Sequence, residues 1–508
     1  MKKMLSAIFA VMLLIFILVS CGDGSGTTVA TTGSNNPGNP DASGASAEAA
    51  ASTLPEFQPA ENADYGGYNF RILDYAGVDK ATWYAGTINE IAVEEENGDP
   101  INDALYQRNK EVETLYNVKI SNVPVSDLDP TAFSAVYKKS ILAADDAFDA
   151  AFIPPNSIPT AINAANMAYD LTQIPSLDLS KSWWDQNSEK SLSIGNKLYA
   201  VIGDINLYTD FATEAIYANK QLMQEYSIDN LYQLVRDGKW TWDAMYDVMK
   251  RVSKDLNGDG VIDQQDQVGL EIQGERLNEA VSSSGEYITP KNKDDIPELT
   301  TNVQRIAGVV SKYGTIVNDS TVTLKSEKIK GTFGNVYYQF ILPKFINNEI
   351  MFHFDQMYFT FELRNMQSDF ALLPYPKYDE SQPDYHSTMS NWWGKATVIP
   401  TTCSDTERTG NILGAMGYYS QKYVTPAFYD VSITNKLMRD EDSLEMLNII
   451  LKSRIYDVGI IYNWGKILDM FNALADSGSE DTFMSKFDGI SDKITAAIQK
   501  TLSELELA

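Results

Sequence analysis

Residues 255 to 266 read Asp255-Leu256-Asn257-Gly258-Asp259-Gly260-Val261-Ile262-Asp263-Gln264-Gln265-Asp266, a run in which oxygen-bearing side chains recur at a spacing suited to a hard cation. Asp255, Asn257, Asp259 and Asp266 would bind Ca2+ by side chain, Val261 by its carbonyl, and Asp263 directly or through water. Gly260 permits the sharp turn at the sixth position, and Ile262 at the eighth is expected to pack inward. A second chemistry is offered by aromatic side chains beside planar polar ones. Trp392 and Trp393 follow Asn391, Trp183 adjoins Trp184, Trp83 precedes Tyr84, and Trp464 follows Asn463. Asp204, Asn206 and Asp210 come after a run read as a strand, at the end where α/β clefts open. Flat aromatic faces suit the apolar side of a sugar ring, and amides or carboxylates fix its hydroxyls. Trp392 and Trp393 lead this set because they precede the extended run Ala396-Thr397-Val398-Ile399-Pro400. Packing in a core is the alternative for every tryptophan, and Trp240 and Trp242 are assigned to it.

The cation loop resembles those of EF-hands and dockerins, with three departures. Asp266 stands where a longer glutamate is usual, Gln267 to Ile272 reads as extended rather than helical, and the loop occurs once. A metal-free acidic turn is the alternative; with calcium bound, the loop would be pinned rather than made catalytic. Other reactive chemistry is scarce. His353 and His386 are the only histidines, so a multi-histidine zinc site cannot be built, and their aromatic neighbours favour packing. Cys403 reads as a small, half-buried residue rather than a nucleophile. A glycoside hydrolase would need two carboxylates across the scissile bond; the sequence carries no local signature for such a pair.

These residues must be positioned by an α/β body. Asn69 to Tyr75 has the content of a strand, and Asp99-Pro100 supplies an N-cap with proline at the first helical position. Ile101, Leu105, Arg108, Val112 and Leu115 follow at helical spacing until Asn117. Val118, Ile120 and Val123 resume a strand, 132–143 reads as helix, and Phe148 to Pro154 as a buried strand. Leu198 to Asp204 and Thr213 to Ala218 read as extended, Lys220 to Tyr226 as helix, and Thr241 caps a helix with Trp242, Met245, Met249 and Val252 on one face. Phe370 to Pro374 is a short strand, and helices dominate from Asp442 onward. Strand and helix alternating in this way imply βαβ units and a mostly parallel sheet.

With 508 residues, 44% of them hydrophobic, two or three domains are expected. The net charge is −29, and no dense basic cluster occurs, so nucleic acid is excluded as a partner. Lys2 and Lys3 precede an apolar stretch from Met4 to Val19, the layout of a secretory signal over 1–20. Leu18-Val19-Ser20-Cys21 resembles the lipobox of bacterial lipoproteins. That resemblance implies a diacylglycerol on Cys21, with acyl chains such as palmitate, and residence at the outer face of the cell membrane. The segment 21–65 is rich in Gly, Ser, Thr, Ala, Asn and Pro, the composition of a flexible tether.

Several segments together resemble the extracellular solute-binding proteins (family 1, maltose-binding-protein-like) of carbohydrate ABC importers. They are Ala218-Asn219-Lys220-Gln221-Leu222, Gly238 to Asp243, Asp255 to Gly269, Ala371 to Lys377 and Arg454 to Gly459, within a likeness spanning roughly 66–500. The resemblance implies a two-lobed, periplasmic-binding-protein-like (type II) α/β fold with a hinge and a ligand cleft. It places the first lobe at 66–212 plus about 390–435 and the second at 213–389 plus about 436–508. The chain would cross near Thr213 to Ala218, return near residue 390, and end in helices packed on the second lobe. By the same resemblance the protein is a non-catalytic monomer, in contact with the membrane only through its lipid, that captures a carbohydrate, expected to be an oligosaccharide, and passes it to ABC permease subunits.

Overall fold

The computed structural model describes residues 54, 56–61, 63–75, 89–125, 129–162, 167–274, 276–434, 441–476 and 478–507. The expected signal segment, Cys21, most of the tether and Trp83 lie outside them. The elements used below are, in chain order, β1 (Tyr68–Tyr75), α1 (Pro100–Tyr116), β2 (Val118–Val125), α2 (Pro130–Ala143), β3 (Ala150–Ile153), α3 (Leu207–Phe211) and β4 (Glu214–Asn219). There follow α4 (Trp242–Val252), β5 (Val268–Ile272), α5 (Leu277–Ser283), α6 (Val303–Val317), β6 (Thr323–Lys325), β7 (Ile350–Gln356), β8 (Phe370–Leu373) and β9 (Ala396–Val398). Helices α7 (Thr406–Tyr419), α8 (Thr425–Thr434), α9 (Glu441–Lys452), α10 (Ile467–Leu474) and α11 (Glu480–Glu504) complete the set.

Local chemistry sets several boundaries. Asp99 accepts hydrogen bonds from the Ile101 and Asn102 amides with Pro100 behind it, and Asn117 ends α1 in the left-handed region, as capping rules require. Thr241 caps α4 by accepting from the Ala244 amide, and Trp242, Met245, Val248, Met249 and Val252 form its buried stripe. That helix lies so close to β5 that a side chain on Gly269 would come within 2.6 Å of Met249 Cβ. Leu198 to Asp204 is not a strand. It touches the edge of β9 through a single residue pair, Val201 with Thr397, because β9 is only three residues long.

One sheet has the order β2-β1-β3-β9 and the other β6-β5-β7-β4-β8. In the first, β1 runs parallel to β2 and β3, and β9 is antiparallel to β3. In the second, β5 is parallel to β6 and β7, while β4 is antiparallel to β7 and β8. Each sheet is therefore mostly parallel in strand direction with one strand reversed, β9 in the first and β4 in the second. Alternate residues of β4 feed two hydrophobic clusters, Ile216 and Ala218 into one and Ala215 and Tyr217 into the other, as the two-residue period of a strand dictates. Near the C-terminus Phe483 of α11 stacks on Phe471 of α10 with ring centroids 6.5 Å apart. Among the described residues no helix is long and apolar enough to cross a membrane.

Two residues read as packing groups have sharper roles. Cys403 is buried rather than half-buried, its Sγ 3.2 Å from Thr409 Oγ1, and burial pushes the thiol up. His353, in the middle of β7, packs on Phe359 but is also ion-paired. Its Nδ1 lies 2.6 Å from Glu271 Oε2 and its Nε2 3.3 Å from Asp355 Oδ2. Burial alone would lower its pKa, but the two carboxylates outweigh that and push it up to about 9. A base with a raised pKa contributes stability that is complete below its unfolded value near 6.5 and is lost as pH rises through 9. Denaturant melts from pH 6 to pH 10 should therefore show a loss from this group on the order of 3 kcal/mol, absent in His353→Gln. Parallel stability curves for the two proteins would refute the assignment.

Candidate functional site

The two sheets are joined by a narrow ribbon. Glu214 N donates to Thr388 O and Ser390 N to Ala212 O, each at 2.9 Å, with Thr213 bridged to Met389. A third segment lies alongside, where Ile455 N donates to Ser387 O at 2.9 Å and Ser387 N to Ser453 O at 3.1 Å. β4 begins at this ribbon and runs antiparallel to β7, so the carboxyl ends of β7 and its parallel neighbour β5 lie beside it. β9 begins six residues past Ser390 and runs antiparallel to β3, which brings the carboxyl ends of β3 and β1 to the same place. The segments that follow those strands thus form the walls of an interlobe cleft, the position where α/β sheets bind ligands.

The first wall carries the expected tryptophan pair. Asn391 O accepts from the Asn156 amide at 3.2 Å, just past β3, and Asn156 Oδ1 has no hydrogen-bond partner. The turn closes through Trp392 N to Ser390 Oγ at 3.3 Å and Gly394 N to Ser390 O at 2.9 Å. Gly394 packs closely there: a Cβ would stand 2.6 Å from Met389 Sδ and 3.0 Å from Ser390 O, so a side chain would have to displace Met389. Trp392 is 54% exposed, Trp393 half-buried. Directly after the turn, Lys395 is buried with its Nζ 2.7 Å from both Asp74 Oδ1 and Glu90 Oε1 and 4.5 Å from the Tyr208 ring centroid. Burial pushes Asp74 up to about 7 against the pull of Lys395.

The second wall was not foreseen. At the start of β4, Glu214 Oε2 lies 2.6 Å from Arg276 Nη1, beyond β5, and burial pushes Glu214 up to about 8. Past β7, Tyr358 stacks on Phe361 at 5.8 Å and 20°. These two rings, with Glu362 and Arg364, face Asn89, Val93, Asn97 and Asn102 from the first lobe across a cavity of about 420 Å3. The available signal was the run Met357-Tyr358-Phe359-Thr360-Phe361 immediately after a histidine-bearing strand.

Other expected site residues go elsewhere. Trp183, Trp184, Asp204 and Asp210 line a separate cavity of about 350 Å3. Within it Trp184 is buried, its Nε1 donating to Leu177 O at 3.3 Å, and Trp183 packs edge-on against Tyr418. Asn206 is buried and donates through Nδ2 to Thr397 Oγ1 at 3.0 Å, holding β9 in place. Trp464 is buried under α11, its Nε1 donating to Thr501 Oγ1 at 3.1 Å. Asn206, Trp184 and Trp464 are thus spent on the interior.

The cation loop is closed by its own backbone. Asp255 accepts from Gly258 N and Gly260 N at 2.6 and 2.8 Å, and Asp266 from Leu256 N and Asp263 N at 2.8 and 2.9 Å. Asn257 Nδ2 donates to Asp259 Oδ2 at 3.0 Å, Gly260 has a φ of 83°, and Ile262 packs partly against the core. Val261 is 59% exposed. Among the described residues no three His, Cys, Asp or Glu side chains are gathered as a metal-ligand set.

The chain matches no family model and no curated protein sequence. Its structure is similar to solved proteins over most of its length. An ABC substrate-binding protein from Listeria monocytogenes, in complex with cycloalternan, aligns with a TM-score of 0.53 at 13% identity, over 84% of this chain and 99% of that one. A sugar transporter from Rhizobium etli in an open conformation aligns at 0.54 and 11%, over 85% and 99%. UgpB from Mycobacterium tuberculosis, in complex with glycerophosphocholine, aligns at 0.51 and 11%, over 87% and 98%. At these identities the likeness is one of fold: the chain has the two-lobed, hinged α/β architecture of ABC substrate-binding proteins.

Proposed function

We propose that the protein captures a carbohydrate in the interlobe cleft and delivers it to an ABC permease, without catalysing a reaction. The observation that carries this reading is the exposed face of Trp392 at the ribbon on one wall, with the Tyr358–Phe361 stack beyond β7 on the other. Supporting it, solved proteins of the same fold are described with cycloalternan and with maltotetraose. The lipobox-like Leu18-Val19-Ser20-Cys21 and the 21–65 tether complete the proposal: a diacylglycerol on Cys21 would keep the receptor, as a monomer, at the outer face of the membrane beside its permease. In isothermal titrations, maltotetraose or cycloalternan should bind saturably, and chromatography should find no hydrolysis product. Trp392→Ala should raise Kd at least about tenfold, about 1.4 kcal/mol, with little effect on unliganded melting because the side chain is exposed. Product formation would replace this reading by a hydrolase. Binding of glycerophosphocholine with no response to any saccharide would replace it by a receptor for another solute.

Calcium belongs to the proposal as a structural ion at 255–266. Support comes from the spacing of Asp255, Asn257, Asp259, Val261, Asp263 and Asp266 and from the left-handed Gly260. Each carboxylate oxygen that accepts one amide keeps a second lone pair for a cation. With the sub-millimolar to millimolar affinity of extracellular sites, 5 mM calcium should add about 1–2 kcal/mol of stability. Thermal melts with calcium and with a chelator test this, the difference disappearing in Asp259→Asn; identical melts would show that the turn stands without metal.

A further inference from the structure

The 350 Å3 cavity shares no lining residue with the 420 Å3 cavity at the cleft, and its chemistry differs. Asp204 is its central group. Asp204 Oδ2 accepts from Gln421 Nε2 at 2.8 Å and Oδ1 from Thr425 Oγ1 at 3.0 Å, so both oxygens are held by neutral donors. The nearby guanidinium is already committed: Arg454 Nη1 donates to Asp210 Oδ1 at 2.7 Å and Nη2 lies 3.4 Å from Asp185 Oδ2. Lys452 lines the rim and is solvent-exposed. Among the described residues no cation lies within ion-pair distance of Asp204; the charge of Arg454 reaches it only through space and is shared with Asp185 and Asp210.

A carboxylate at a cavity wall with no cation in direct contact is costly to keep ionised unless one arrives. Trp183 and Tyr429 also line the cavity, and aromatic faces attract ammonium groups. Anions are disfavoured by the carboxylate excess. Neutral polyols would find Gln421 and Thr425 already donating to Asp204. We propose that this cavity is a second ligand site, for a small organic cation bearing a primary ammonium group, with Asp204 as its counter-ion.

The location gives such a site a mechanical connection. Asp210 lies two residues before the first ribbon segment, and Arg454, in the third, also donates to Thr213 Oγ1 in the first at 3.3 Å. A guest against Asp204 would therefore sit on the contacts that tie the third ribbon segment to the first. The titratable and charged groups around Asp204 are Asp185, Asp210, Tyr429, Arg454 and Lys452. Burial first, and then Asp210, push Asp204 up to about 7, so an amine that stays protonated across the neutral range should bind more tightly as pH rises and the carboxylate ionises.

The probe is 1,4-diaminobutane, with 1,4-butanediol as its uncharged counterpart, titrated calorimetrically into the full chain. The diamine should bind saturably at one site and the diol should not. Affinity should rise about tenfold from pH 6 to pH 8. Asp204→Asn, which keeps the shape and a carbonyl acceptor, should weaken binding at least tenfold. The diol and the pH series test the proposal on the wild-type chain, so a variant that failed to fold would not rescue it. Absence of diamine heat, equal binding of the diol, an affinity that does not change with pH, or an Asp204→Asn protein that binds as well as wild type would each overturn it. Saccharide titrations at the cleft succeed or fail separately, because the two cavities have no residue in common.

Discussion

Everything in this molecule depends on where the chain crosses between its sheets. The ribbon formed by Ala212–Glu214, Thr388–Ser390 and Ser453–Ile455 meets each sheet at the carboxyl ends of its parallel strands. A strand that enters a sheet from that end has to run against its neighbours. β4 and β9, the first strands after the two crossings, are accordingly the antiparallel members of otherwise parallel groups. The same entry points aim the loops after β1, β3, β5 and β7 at one another, so the cleft and the mixed topology have a single cause.

The ribbon is held mainly by backbone hydrogen bonds, whereas the walls beside it are locked by buried ion pairs. Lys395 joins β9 to Asp74 at the end of β1 and to Glu90, all within the first lobe. Arg276 ties the segment after β5 to Glu214 at the start of β4, within the second. Such pairs cost desolvation energy and add little net stability, but removing one partner strands the other, so they specify geometry. Rigid walls on a slender backbone connection are what hinge motion needs: small φ/ψ changes at few residues, with each lobe moving as a body.

How much of this was legible in the sequence follows from the range of each interaction. Asp99-Pro100, Asn117 and Thr241 act within a few residues of themselves, and the structure has them where local rules put them. The alternation of strand and helix gave the fold class for the same reason. Leu198 to Asp204 was misread because a strand exists only through a partner, and β9 offers it one residue pair. Tryptophans were harder still. Trp392, Trp184 and Trp464 have similar neighbours in sequence, yet one is exposed beside the ribbon and two are buried. The difference lies in tertiary contacts with Leu177 and Thr501, far away in the chain or set by a turn, which residue type cannot disclose. Tyr358 and Phe361 were missed because an aromatic run reads as core until the strand before it is known to end at a cleft.

A two-lobed receptor responds to a ligand only if the closed form binds it better than the open one, since equal affinity for both shifts nothing. Trp392 alone could hold a sugar face in either form, because it belongs to one wall. The differential has to come from groups on the facing wall, and Tyr358, Phe361, Glu362 and Arg364 are carried by the segment after β7, across the 420 Å3 cavity from Asn97 and Asn102. Closure would bring that polar and aromatic edge onto a ligand already resting on the first lobe, and the binding energy gained there is what can move the hinge. Under the proposed function, Trp392 would account for capture in this arrangement, and the facing wall for the change of shape that a permease could read.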